Sequence, residues 1–289
     1  MNASAQMAET LRAFRLTHPT QLLQVASDRW EYISGGKGEC AIVIVGGGGS
    51  TAESMFSINA VLESNYRVIS LGIPTSATTI ENVNRGIEAI LDLLGIAQAI
   101  FLGHSLGGLV IQSFALRHPE RVSGLALSST GFYRGARSVW LPAATRLMML
   151  FPEALLLRAI SSQMGRLLKP AEAADFWLQF YREELSQPDF GARLKHQGSL
   201  LVQYAAFFKD DPIHSGLSWA QSLPVQIIAA EDDRGFTKRE IAFLGSLYPR
   251  SQTLTLPAGT GHLSFLCRPR GYVEAVQGLV ARVMHGLPL

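Results

Sequence analysis

The hexapeptide Gly103-His104-Ser105-Leu106-Gly107-Gly108 carries the sharpest chemical signal in this chain. A bare G-x-S-x-G pattern is common, but here it closes a buried apolar run, Ala99 to Gly103, and opens a helical one. A serine raised on a tight strand-to-helix turn is a nucleophile held out for attack. Glycines flank it because larger side chains would collide across that turn.

A serine hydroxyl is a weak nucleophile at neutral pH until a base takes its proton, so a histidine is needed. Of the seven histidines, His118 precedes Pro119 at a helix end and His104 belongs to the turn itself. His18, His196, His214 and His285 lie near termini or in a long stretch without strands. His262 differs, because it follows the last strand-like run in a Gly-Thr-Gly-His loop. In a parallel sheet that loop emerges on the same carboxyl edge as Ser105. The base in turn needs a carboxylate to fix its tautomer and stabilise the imidazolium. Glu231-Asp232-Asp233 directly follows the run Val225 to Ala230 and gives the chain order serine, acid, histidine; the pattern alone leaves the three acids open.

Charge that develops on oxygen during acyl transfer is best met by preorganised backbone N–H groups. The residue after the nucleophile, Leu106, supplies one. The glycine run Gly46 to Gly49, directly after the apolar run Ala41 to Val45, supplies the other. Gly47 is taken as the donor, with Gly46, Gly48 and His104 against the substrate, although adjacent glycines are alike in sequence. No G-x-G-x-x-G or Walker pattern follows the run, so a phosphate-binding loop is not expected.

The elements that must position these groups alternate. Continuous apolar runs at 41–45, 66–71, 99–103, 124–128 and 225–230 read as strands buried on both faces. Helical patterns lie between them, from Thr79 to Leu94, from Leu109 to His118 and from 239 to 248. A shorter strand at 252–256 and a helix from Gly271 to His285 complete the set, and strands at 21–25 and 30–34 precede it after a helix at 8–16. Strands separated by helices of this length make a mostly parallel sheet with right-handed crossovers. From 132 to 222 the alternation stops, and helix formers and aromatics replace it. The expected division is a core of 1–131 and 223–289 with a helical cap at 132–222.

At these residues the chain resembles the α/β-hydrolase fold family over nearly its whole length. The resemblance implies a serine esterase with Ser105 as nucleophile, His262 as base and a helical cap after the sixth strand. In such sequences the acid turn reads Gly-x-x-Asp. The matching frame Ala230-Glu231-Asp232-Asp233 implies Asp233 as the acid, with Asp232 as a turn-capping carboxylate. One departure is Val45-Gly46-Gly47, where many members have His-Gly-Gly. The stretch from Trp30 to Leu127, with Trp30-Glu31-Tyr32, YRVISLGIP and LGHSLGGLVIQSFALRHPERV, is also similar to the maspardin branch, which implies a protein-binding module as an alternative. Carbon–carbon bond hydrolysis or lactone opening through the same three residues is a second alternative.

Composition bounds the partners. Lys and Arg number 25 against 23 Asp and Glu, a net charge of +2, with no basic block to bind nucleic acid. Hydrophobic residues make up 47% of the chain, ample for a core. Cys40 and Cys267 form neither a disulfide framework nor a metal cluster, and neither a metal nor a cofactor is expected. The most apolar stretch, Leu141 to Ile160, is broken by Arg146, Glu153, Arg158 and two prolines, so no membrane span and a cytoplasmic location are expected. The expected partner is a small ester. Leu147, Met148, Met149, Leu150, Phe151, Leu155, Leu156 and Leu157 on that stretch are expected to build its acyl pocket, with Met148 and Met149 touching it.

Overall fold

The computed structural model describes residues 2–132, 137–209 and 218–286. The first half of the chain runs α1 (Ala3–Thr17), β1 (Gln21–Val25), β2 (Asp28–Gly35), β3 (Ala41–Val45), α2 (Phe56–Leu62), β4 (Arg67–Gly72), α3 (Ile80–Leu93), β5 (Ala99–His104), α4 (Leu106–Arg117) and β6 (Val122–Ser128). Five helices follow with no strand among the described residues: α5 (Arg137–Met149), α6 (Glu153–Leu167), α7 (Ala174–Leu185), α8 (Phe190–Lys209) and α9 (Ser218–Ser222). The alternation then resumes with β7 (Val225–Ala230), α10 (Lys238–Leu247), β8 (Ser251–Leu256), α11 (Ser264–Cys267) and α12 (Pro269–His285).

The eight strands form one sheet in the order β1-β2-β4-β3-β5-β6-β7-β8. β1 and β2 pair antiparallel, as does β2 with β4, and every pair from β4 through β8 is parallel. The sequence is written for this. Every residue of β3, β5 and β7 is buried, as parallel strands covered on both faces require.

Successive side chains point to opposite faces and feed two separate apolar layers. Val43, Val45 and Phe101 enter the layer formed with α3, α4 and α8. Ile42, Ile44, Ile100 and Leu102 enter the other, formed with α1, α2, α7 and α12. α3 starts where Thr79 accepts a hydrogen bond from the Asn82 N–H, and α10 starts with a capping box between Thr237 and Glu240.

Two elements differ from the sequence expectation. α1 begins at Ala3, capped by Asn2, and is almost twice as long as the amphipathic stretch at 8–16 suggests. α2 was not legible, because polar residues share its buried face. Asn59 is fully buried and donates from Nδ2 to Ser70 Oγ of β4 at 3.0 Å, which breaks the apolar period. No described helix is long and apolar enough to cross a membrane.

Candidate active site

The turn between β5 and α4 holds Ser105 at φ 53° and ψ −116°, a left-handed backbone that a non-glycine residue adopts only under constraint. The constraint is visible in its neighbours. The Ser105 N–H donates to the Ser128 carbonyl at 2.9 Å, and its own carbonyl accepts from Gly108 N–H at 3.0 Å and Thr130 Oγ1 at 2.8 Å. A Cβ on Gly107 would collide with the Val45 carbonyl, so α4 lies against the end of β3 only because that position is glycine.

His262 reaches Ser105 from the far side of the sheet edge. It sits in a 3-10 turn, Gly261–Leu263, just past β8. Its Nε2 accepts from Ser105 Oγ at 3.0 Å, and its Nδ1 donates to Asp233 Oδ2 at 3.0 Å, with Oδ1 at 3.3 Å. Burial pushes the Asp233 carboxyl up, but the hydrogen bond and charge of His262 and the Gly235 N–H outweigh it and hold the group below its ordinary value.

The neighbouring acids have a different task. Asp232 accepts from Gly259 N–H and Gly261 N–H, both at 2.9 Å, and Glu231 accepts from Ala258 N–H at 3.2 Å. Together they clamp the loop that carries His262. Asp233 alone of the three faces the imidazole.

His104 lies under this group. It is buried, its Nδ1 is 3.2 Å from Ser128 Oγ, and its ring is 5.1 Å from that of His262. Burial, assisted by the charge of His262, lowers its pKa to about 3, so it stays neutral and cannot compete for the proton. Among the remaining histidines, His18 pairs with Glu63, His118 lies beside Glu88, and the His196 ring contacts the Ala77 carbonyl. His285 ends α12, and His214 lies outside the described residues.

The glycine run divides by position. A Cβ on Gly47 would touch Ser105 Cβ at 3.3 Å, which puts this residue beside the nucleophile. The Gly49 N–H is taken by Gln197 Oε1, and the Ser50 N–H by the Gly47 carbonyl. Gly48 lines the open space. Gly46 does not: a Cβ there would strike Ser50, so its place is beneath the loop and its expected substrate contact is corrected. Leu106 is the first residue of α4, where an N–H has no acceptor within the helix.

These groups open into a cavity of about 230 Å³. Gly47, His104, Ser105 and His262 form one wall. Ile160, Gln163, Met164 and Leu167 of α6 form another, and Phe190 and Leu194 of α8 close it. Tyr181 and Glu184 of α7 also line it. Burial pushes the Glu184 carboxyl up against the opposing pull of Arg193, 3.7 Å away.

Met148 and Met149 do not reach this cavity. Met148 is exposed, and Met149 packs its sulfur on Gly198 of α8. None of the expected residues from Leu147 to Leu157 is among those that line the cavity, although the last three lie on α6, whose later turns do. The residues that do line the cavity sit on α6, α7 and α8, and no sequence signal marks them beyond the apolar period of each helix.

Comparison with known proteins gives the family and the fold. The family model described as "alpha/beta hydrolase fold" matches residues 41–269. A pimeloyl-[acyl-carrier protein] methyl ester esterase of Yersinia enterocolitica is 24% identical over 247 residues, covering 83% of this chain and 93% of that protein. A 2-hydroxy-6-oxo-6-phenylhexa-2,4-dienoate hydrolase of Comamonas testosteroni is 31% identical over 112 residues, 35% of this chain and 39% of that protein. Among solved structures, an esterase from Thermogutta terrifontis superposes with a TM-score of 0.70 at 17% identity, over 92% of this chain and 98% of that one, a likeness of fold.

Proposed function

Because the chain belongs to the α/β-hydrolase fold family, we propose that it is a serine hydrolase that cleaves carboxylic esters of small to medium, uncharged, apolar acyl groups. The observation that carries this reading is the continuous hydrogen-bond chain from Ser105 Oγ through the His262 ring to Asp233, opening on an apolar cavity. In this reading Ser105 Oγ attacks the ester carbonyl while His262 Nε2 takes its proton, and Asp233 holds the imidazolium that forms. The N–H groups of Leu106 and Gly47 meet the charge on the carbonyl oxygen. The alcohol leaves with the proton from Nε2, and water then releases the acyl group by the same path. Residues 132–222 act as the cap that shapes the acyl site.

The charge at the cavity favours ester hydrolysis over cleavage of acidic substrates. A dienoate, in the words of the Comamonas relative's name, carries a carboxylate. Here that group would face Glu184, which already holds Arg193 at 3.7 Å, and no Lys or Arg is among the described lining residues to pair with it. The volume lies just under the range of roughly 300–1,000 Å³ usual for ligand sites, which suits short acyl chains.

The test is labelling by a fluorophosphonate together with turnover of p-nitrophenyl butyrate. Labelling should map to Ser105, and the butyrate should be cleaved at least about tenfold faster than the p-nitrophenyl half-ester of succinate. An unlabelled, inactive folded protein would favour the protein-binding alternative, and preference for the half-ester would remove the argument from Glu184.

A further inference from the structure

Helix α5 is apolar on its outer face as well as its inner one. Its inward face, packed on α8, carries Leu141, Pro142 and Met149 with Ser138 and Thr145, and Thr145 and Met149 are set against Gly198. Its outward face and the turn beyond it carry Val139, Trp140, Leu147 and Leu150, each between 55% and 80% exposed. Ala143 and Ala144 fill the stripe between them, so no polar group interrupts it. An amphipathic helix on a protein in water presents a polar outer face instead. The stripe continues through Phe151 to Leu155 of α6, both exposed.

The sequence of this segment is predominantly basic. Residues 132–171 contain six Lys and Arg and a single acid, Glu153, in a chain whose total is only +2. Exposed Arg146 and Arg158 flank the stripe, and the single acid, Glu153, also exposed, lies over Gly191 at the first turn of α8. We propose that the outer face of α5 and the α5–α6 turn docks on an anionic lipid surface.

Large aliphatic side chains and a tryptophan bordered by arginines are what the boundary between headgroups and acyl chains accommodates. A second copy of the chain fits the face poorly, since a two-fold contact would gather Arg146 and Arg158 of both copies at one interface with only Glu153 of each to answer them. An acidic protein would answer the charge, but protein interfaces also carry hydrogen bonds, about one per 100–200 Å², and the stripe offers only the Trp140 indole N–H to make them. The inference does not depend on the hydrolase reading. α6 nonetheless connects the two, because Ile160, Met164 and Leu167 on its other side roof the cavity.

Flotation of the full chain with phosphatidylcholine vesicles, with and without phosphatidylglycerol, tests the proposal. The protein should rise with the anionic vesicles and be released by salt. The double variant Trp140→Glu, Leu147→Glu should lower the bound fraction about tenfold or more, with the Tm and the turnover of a soluble ester unchanged. Absence of the wild type from the anionic vesicle fraction, or equal flotation of the double variant, overturns the proposal. A dimer in sedimentation that the double variant dissolves would assign the face to a second copy. Retention on polyglutamate without vesicle binding would assign it to an acidic protein, and either result also overturns it.

Discussion

The carboxyl edge of the sheet and the α5–α6 pair are built to opposite rules. At the edge, β3, β5, β6 and β7 are buried along almost their whole length, and the groups that flank Ser105 hang from their ends with each backbone turn pinned by hydrogen bonds. In α6 the buried residue is Leu156, and α5 leaves Val139, Trp140 and Leu147 exposed while Leu141 is only partly covered. Reactive atoms need placement to within a few tenths of an ångström, which only a dense, over-determined region supplies. A wall that fits an acyl chain, or a face that meets a surface, needs no such precision. Substitutions at the edge should therefore act on rate and those in the helical segment on selectivity.

The largest expected effect is at Ser105. Ser105→Ala should lower kcat for p-nitrophenyl butyrate by about 10⁴ or more, because nucleophile, base and acid act as a unit. The Tm should hold or rise, since alanine removes only a hydroxyl from an open cavity. Retention of a tenth of the activity would break the contrast, because the edge would then not be where the chemistry is done.

The two aspartates test it more finely. Asp233→Asn should lower kcat by about 10³ to 10⁴ by leaving His262 without its orienting acceptor. Asp232→Asn weakens the clamp on the loop at Gly259 and Gly261, so it should lower Tm and cost less than about tenfold in kcat. The Asp233 pair also predicts a pH dependence. Its folded pKa lies below the ordinary 3.8, so the stability that it contributes is complete above that value and is lost as pH falls through the lower folded value. The Tm gap between wild type and Asp233→Asn should hold from about pH 7 to about pH 5 and close only in stronger acid. A gap that closes near neutrality would mean that another group titrates there.

Between these and the helical segment stands the glycine loop. Gly47→Pro removes one N–H beside Ser105 and should lower kcat by about 10² with a smaller change in KM. Gln197→Leu strips the acceptor from the Gly49 N–H, so Tm should fall while kcat changes less. The reverse result would move the oxyanion donor from Gly47 toward Gly49.

Where the sequence was legible follows the same division. Continuous β-branched runs can only be doubly covered strands, and in a parallel sheet their ends share one edge. Ser105, Asp233 and His262 could therefore be brought together from sequence, with the frame of the acid turn taken from the family resemblance. The role of Asp232 was half legible: a capping carboxylate was expected, but its partners, Gly259 and Gly261, lie across the edge on another loop. In the helical segment, an apolar period marks a face without saying what that face meets. Leu147 and Met148 have the period of a pocket wall and point outward, whereas Met164 and Leu167, on a helix with a similar pattern, point in. Tyr181 and Glu184 reach the cavity through the packing of α7, which no local pattern encodes.

The smallest expected effect separates those two methionines. Met164→Trp adds volume to the roof of a cavity of about 230 Å³, leaving less room beyond Ser105 for the acyl chain. The preferred p-nitrophenyl ester should shift toward acetate, with kcat/KM for hexanoate falling several-fold, on the order of 1–2 kcal/mol, while kcat for acetate stays near wild type. Met148→Trp enlarges a side chain that already faces water, so it should change neither chain-length preference nor turnover and should alter Tm by less than about 1 °C. An equal shift from both would mean that α5 moves over the cavity during turnover, and the outward face of this helix would then belong to the substrate path.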